Sequence, residues 1–164
     1  MDQDFLPVGT APGNGPDLIF EFEDFIVIGE VTLTDNSRQV AAEGESVRRH
    51  VAEKDSQYSA EQKRKVYGLF IANKIDDNTV EEFRVGSWYH LSKRMRLSIV
   101  PVTLTQFKNI FESLFRSGNV RVSSIRDFFE ECNKSRDASD ALVWKKNIEE
   151  TLLGWTKTLI SKLN

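Results

Sequence analysis

The sequence predicts an α/β fold: one mixed sheet of about four strands, flanked by helices, with a helical C-terminal part. Three observations point there. Two runs rich in β-branched and aromatic residues lie close together at 18–23 and 25–33. Two further apolar runs, 66–72 and 97–102, alternate with polar stretches of helical length. From Thr103 onward the apolar residues recur at spacings of three and four.

The first element is the run Leu18-Ile19-Phe20-Glu21-Phe22-Glu23, which alternates apolar with acidic residues toward its end. Asp24 is a turn residue, and Phe25-Ile26-Val27-Ile28-Gly29-Glu30-Val31-Thr32-Leu33 completes a hairpin whose second strand is mostly buried. Gly29 permits a close backbone approach or a bend there. Thr34-Asp35-Asn36-Ser37 is a cluster of good N-caps, so a helix is expected from Arg38 to about Lys54, weakened at Gly44. The polar segment 58–65 is ambiguous, with more helix as one reading. Val66–Ala72 and Leu97–Val102 read as strands, and Pro101 confines the latter to an edge. A short helix is expected over Thr79–Tyr89. Leu104, Phe107, Ile110, Phe111 and Leu114 make a helical face after Thr103, and Val122–Cys132 holds a shorter amphipathic segment. Trp144, Ile148, Leu152, Trp155, Leu159 and Leu163 form a last apolar stripe, read as a core face with a partner-binding face as the alternative.

The chain has 164 residues, 22 Lys+Arg against 25 Asp+Glu and a sequence pI near 5.5, enough for one domain and too little for a two-domain enzyme. A single domain over 1–164 is expected, with 1–16 a loop or truncated entry segment. Its pI argues against a freestanding, charge-driven DNA binder, a class that usually has a pI above about 9. No run approaches the roughly 18 apolar residues of a membrane span, and residues 1–10 lack a signal-peptide pattern, so a cytoplasmic protein is expected. Cys132 is alone, which excludes an internal disulfide and offers no zinc spacing. The charge is unevenly spread: residues 16–45 carry −7 and residues 46–121 carry +6. The basic groups Lys63-Arg64-Lys65, Lys93-Arg94 and Arg96 could lie along a phosphate backbone.

Three acids stand thirteen residues apart: Asp17 at the start of the first strand, Glu30 inside the second, and Glu43 in the helix that follows. A tight hairpin brings Asp17 and Glu30 to one edge of the sheet, and the helix can deliver Glu43 beside them. Carboxylates about 4 Å apart repel by about 4 kcal/mol at an effective dielectric near 20. A hard divalent cation removes that cost, and Mg²⁺, with Mn²⁺ as substitute, suits a phosphodiester substrate. Singly, Asp17 could be a turn residue, Glu30 the partner of a buried arginine and Glu43 a solvated helix acid. Glu30 is the hardest to explain that way, because its neighbours predict a buried strand. On a regular helix, Gln39, Glu43 and His50 fall within about 60° of one another. His50 could orient water or touch phosphate, or be structural; Arg48 and Arg49 could bind phosphate, or form a solvated face. His90 reads as structural.

Pro16-Asp17, twelve residues, then Glu30-Val31-Thr32 resembles the PD-(D/E)XK nuclease signature. The wider run from Ala11-Pro12-Gly13-Asn14-Gly15-Pro16-Asp17 through Gly29-Glu30-Val31-Thr32-Leu33-Thr34 to Ser37-Arg38-Gln39 and Glu43-Gly44-Glu45-Ser46-Val47-Arg48-Arg49-His50 is similar to the cleavage domain of type IIS restriction and nicking endonucleases related to AlwI. The runs at 69–74 and 99–104 are compatible with it.

The resemblance implies a restriction-endonuclease-like fold and a Mg²⁺-dependent DNA endonuclease that hydrolyses one phosphodiester per active site. It implies Asp17, Glu30 and Glu43 as catalytic metal ligands, with Val31 contributing its main-chain carbonyl. Thr32 stands where the general pattern has lysine, so that role is unfilled locally; its hydroxyl is one contribution, an outward-facing strand threonine the other reading. The resemblance further implies double-stranded DNA as substrate, and recognition by a separate N-terminal region or subunit. A second cleavage domain would be needed for a double-strand break. The chain would then be an excised C-terminal cleavage domain or a naturally small cleavage subunit. The rival readings are a non-catalytic interaction module built on the Trp144–Leu163 stripe, and a repair nuclease of the same fold.

Overall fold

The apolar run Leu18-Ile19-Phe20 closing on Glu21 makes Leu18–Glu21 (β1) a half-buried strand, and the β-branched run Phe25–Thr32 (β2) returns antiparallel to it, pairing Leu18 with Gly29 and Glu21 with Ile26. The computed structural model describes residues 15–36, 38–61, 64–118 and 121–161. Most of the expected opening loop, together with Ser37, Lys63 and Leu163, lies outside them. Gly29 does meet a close approach: a Cβ there would lie 2.9 Å from that of Leu18.

The helix expected from Arg38 forms, but its first part is a π turn over Val40–Gly44, which leads into Glu45–Glu61 (α1). A π turn carries i→i+5 hydrogen bonds, so the 100° step per residue does not hold across it. Angular positions counted from Gln39 to His50 on a regular helix are therefore displaced. The ambiguous segment after Tyr58 continues α1 to Glu61.

Lys65–Ala72 (β3) and Ile99–Thr103 (β6) complete a four-stranded sheet in the order β1-β2-β3-β6, with β2, β3 and β6 parallel. The amide of Gly68 donates to Ser98 O, which fixes the register and turns the main-chain groups of Ile99, Pro101 and Thr103 away from β3. Pro101 thus sits on an edge strand with its ring nitrogen outward, where no ladder donor is lost.

Asp77–Val85 (α2) is capped by Asp76, whose carboxylate accepts from Asn78 N. It ends earlier than the sequence suggests. Residues expected to close that helix instead form Trp88–His90 (β4), which pairs with Lys93–Met95 (β5) in a separate two-stranded hairpin. The local pattern hides this, because its turn is Leu91-Ser92 and contains no glycine or asparagine.

Leu104–Ser117 (α3) starts at a capping box in which Thr103 and Gln106 each bond the other's backbone amide. Val122–Lys134 (α4) and Ala141–Ser161 (α5) follow. Strand alternation assigns the layers. Tyr67 stacks on Phe129 of α4 at 4.9 Å, whereas Phe70 meets Phe83 of α2 edge-on at 5.2 Å and Gly68 faces Val51 of α1. Trp144, Ile148, Leu152 and Leu159 are all buried, and the Trp144 indole donates to Cys132 O at 2.9 Å. From Trp144 to Leu159 the last stripe is therefore a core face and not a partner-binding one. No helix among the described residues is long and apolar enough to cross a membrane.

Candidate metal centre

β2 outruns its antiparallel neighbour. Pairing with β1 stops at Gly29, so among the described residues the edge of Glu30–Thr32 on that side has no strand partner. The Asp17 side chain occupies the gap: its Oδ2 accepts the amide of Val31 at 2.8 Å. On an extended strand a residue's N–H and C=O point to the same edge, so the Val31 carbonyl faces the side where Asp17 stands. The Val31 side chain is on the opposite face from Glu30 and is 41% exposed.

Glu30 points to the α1 face and is buried. Its Oε1 meets His50 Nδ1 from α1 in a short contact. Burial pushes the Glu30 carboxyl above the usual carboxylate range; the imidazole pulls it back down and the nearby Asp17 carboxylate pushes it up again, leaving it raised. His50 Nε2 is buried and has no hydrogen-bond partner among the described residues. The histidine lies inward because Val47, His50 and Val51 share the stripe that α1 lays on the sheet, a spacing of three and four visible in the sequence.

Thr32 shares this face and is buried, correcting the outward-facing expectation; its Oγ1 accepts from Thr34 N at 3.0 Å. Gln39 is fully buried and its amide is spent on three backbone groups: Nε2 donates to Thr34 O and to Lys74 O at 2.9 Å, and Oε1 accepts from Asp76 N at 3.0 Å. It ties the loop after β2 to the loop after β3 and has no amide hydrogen left to donate to water or phosphate. Arg48 pairs with Glu82 at 3.0 Å and lies over the Trp88 ring at 5.3 Å. Arg49 is exposed on α1.

Asp17, Glu30 and His50 are thus brought together. Glu43 is half-buried in the π turn, and the groups that act on Glu30 are His50 and Asp17. Among the described residues, no three His, Cys, Asp or Glu side chains form a ready-made cation site. The expected triplet of Asp17, Glu30 and Glu43 is therefore not preassembled among the described residues. The donors that do converge, two carboxylates and the Val31 carbonyl edge, are hard oxygens of the kind Mg²⁺ takes, and a cation would offset the burial and the Asp17 proximity that together raise the Glu30 pKa.

The family model of the AlwI restriction endonucleases matches residues 1–110. The chain belongs to the AlwI restriction endonuclease family. Nine solved chains match it. One is the small subunit, R.BspD6I2, of the heterodimeric restriction endonuclease R.BspD6I, with a TM-score of 0.68 and 24% identity over 92% of this chain and 75% of that one. That likeness shows the fold. No curated protein matches. For an AlwI-family chain, the family match spans every residue of the Asp17, Glu30 and His50 constellation, while α4 and α5 lie beyond it.

Proposed function

We propose that this chain is the Mg²⁺-dependent cleavage component of a type IIS or nicking restriction endonuclease, hydrolysing one phosphodiester of double-stranded DNA per active site. The observation that carries the reading is the Asp17 carboxylate docked on the unpaired edge of β2 beside the buried Glu30. Asp17, Glu30 and the Val31 carbonyl would hold the cation, with Glu43 as the third acid of the set. The cation supplies polarisation of the scissile phosphate and a more acidic attacking water.

The chain's own residues do the rest. Asp17 is oriented by the Val31 amide, so one carboxylate oxygen is committed to the strand and the other is available to the cation. His50 fixes the rotamer of Glu30 from behind, a positioning role that also sets a polar group beside the acid in the absence of a local lysine at Thr32. Arg49, on the same helix, is the exposed cation nearest in sequence to His50 that could meet the DNA backbone. A recognition region or subunit outside this chain would supply sequence specificity, in keeping with the heterodimeric make-up of the enzyme whose small subunit it resembles. A second cleavage domain would be needed to cut both strands.

The test is Mn²⁺ titration of the chain by calorimetry, and Mg²⁺-dependent cleavage by the chain combined with its recognition component. Asp17→Asn and Glu30→Gln should each weaken cation binding at least tenfold and lower cleavage by two orders of magnitude or more, in line with loss of a metal's electrostatic contribution. Glu43→Gln should weaken both less. Cleavage undiminished in either of the first two variants would overturn the assignment.

A further inference from the structure

The hairpin of β4 and β5 stands apart from the main sheet, and its two faces differ. Ladder pairs place Trp88 opposite Met95 and Tyr89 opposite Arg94. Trp88 and Met95 form the inner face: Arg48 of α1 lies over the Trp88 ring, and Met95 is buried with Ser56 Oγ 4.0 Å from its sulfur. The outer face presents Tyr89, 68% exposed, and Arg94; Lys93, paired with His90 on the Trp88 face, is exposed beside the turn, and Leu91 in the turn is 85% exposed.

The turn is built against its own side chains. Leu91 and Ser92 have φ of 46° and 65°, the left-handed conformation that two-residue hairpins demand and that Asn-Gly supplies at little cost. A leucine there is strained and fully offered to solvent, a combination that neither stability nor solubility favours. Charge adds a direction. From Arg84 to Phe111 the sequence has no Asp or Glu and five Lys or Arg. Arg84 is neutralised by Glu81, and Arg96 by Asp137. Among the described residues, Lys93 and Arg94 pair with no carboxylate; Arg94 Nε donates to Ser87 Oγ at 2.9 Å, which fixes its side chain along the ribbon.

We propose that the Trp88–Met95 hairpin is a duplex-DNA contact, its Leu91 tip entering the major groove while Lys93 and Arg94 meet the flanking phosphates. A two-stranded ribbon fits the roughly 12 Å major groove, and an apolar side chain at its tip can meet thymine methyl groups. The anchor matters as much as the tip. Because Trp88 is held by Arg48, two residues before His50, the ribbon is attached to the same helix that positions Glu30. DNA seated on the ribbon is thereby registered against the cleavage site. This extends the nuclease reading and rests on it for the identity of the polyanion.

The experiment is anisotropy titration of the intact chain with a labelled 20-base-pair duplex in EDTA, beginning at about 50 mM salt and repeated as salt is raised. Each phosphate contact contributes about 0.9 to the slope of log K against log salt. Lys93→Ala/Arg94→Ala should lower that slope by nearly two and weaken binding at least fivefold at the lowest salt. Leu91→Gly should weaken binding while leaving the melting temperature unchanged or higher, which a merely structural role would not do. Lys146→Ala on α5 should change neither. Unchanged affinity and slope in both hairpin variants, or no duplex binding at the lowest salt, would overturn the proposal. Cleavage surviving Asp17→Asn would instead overturn the active-site reading and leave these binding results standing.

Discussion

Gly68 lies where β3 is pressed between α1 and β6, and its replacement by alanine tests how the site is held. A Cβ at this position would sit 2.9 Å from Val51 Cγ2 and 2.8 Å from Ile99 Cγ1, several tenths of an ångström inside ordinary contact. Val51 is β-branched and helical, so its χ1 cannot swing away, and α1 itself has to give. Overpacking of this kind costs about 1–3 kcal/mol. Val51→Ala, which removes two methyl groups from a side chain 1% exposed, costs about 1–2.5 kcal/mol by itself. If the new methyl group fills the space Val51 vacates, the double variant should be less destabilised than the sum by about 1 kcal/mol, the remainder reflecting Ile99. Urea denaturation followed by tryptophan fluorescence measures all four corners of the cycle. Because His50 precedes Val51 on α1, Gly68→Ala should also weaken Mn²⁺ binding, and the double variant should restore part of it. Stabilities that add within about 0.5 kcal/mol would refute the account of α1 as the element the glycine accommodates.

Two further perturbations probe the scaffold. Gln39→Ala leaves two buried carbonyls and one amide without their partner and should cost about 2–4 kcal/mol, while Gln39→Glu, which cannot donate to Thr34 O and Lys74 O, should cost at least as much; urea midpoints decide, and a loss under about 0.5 kcal/mol would show the bridge to be replaceable by water. Burial pushes the Cys132 thiol up to about 12, whereas an unfolded thiol ionises near pH 9, so this group's contribution is whole below about pH 9 and is lost as pH rises toward 12. At pH 10.5 the loss is about 2 kcal/mol. Cys132→Ala should lose correspondingly less stability than the parent between pH 8 and 10.5, and equal losses would contradict the sign worked here.

The sheet and the Asp17–Glu30 pair were legible because both are written in near-neighbour pattern. An apolar run marks β1, β-branching marks β2, and one tight turn between them leaves few places for Asp17 to stand. Pro101 marked its strand as an edge for the same local reason. What failed were features that depend on a single irregular step. The π turn at Val40–Gly44 has no sequence signal of its own, and once it is present the angular argument linking Gln39, Glu43 and His50 no longer applies. Of the β4–β5 hairpin only Trp88 and Tyr89 fall within the expected helix, and the rest goes unmarked because Leu91-Ser92, which takes αL geometry here, gives no turn signal. Gln39 is committed to Lys74 and Asp76 backbone groups that only the fold brings near, whereas Thr32 makes a local bond to the Thr34 amide.

The two borders of the main sheet are not equivalent, and this limits how copies of the chain can meet. At the β6 border the outward row of main-chain groups is Ile99, Pro101 and Thr103, in which the proline has no donor and the Thr103 amide is already given to Gln106. An added strand would find only one of three donors there, so side-by-side copies cannot fuse into one continuous ladder across that border. The opposite border ends beside Asp17. An assembly of two copies is therefore left the β1 border, side-chain contacts or a shared ligand as its means of joining, and not the β6 border.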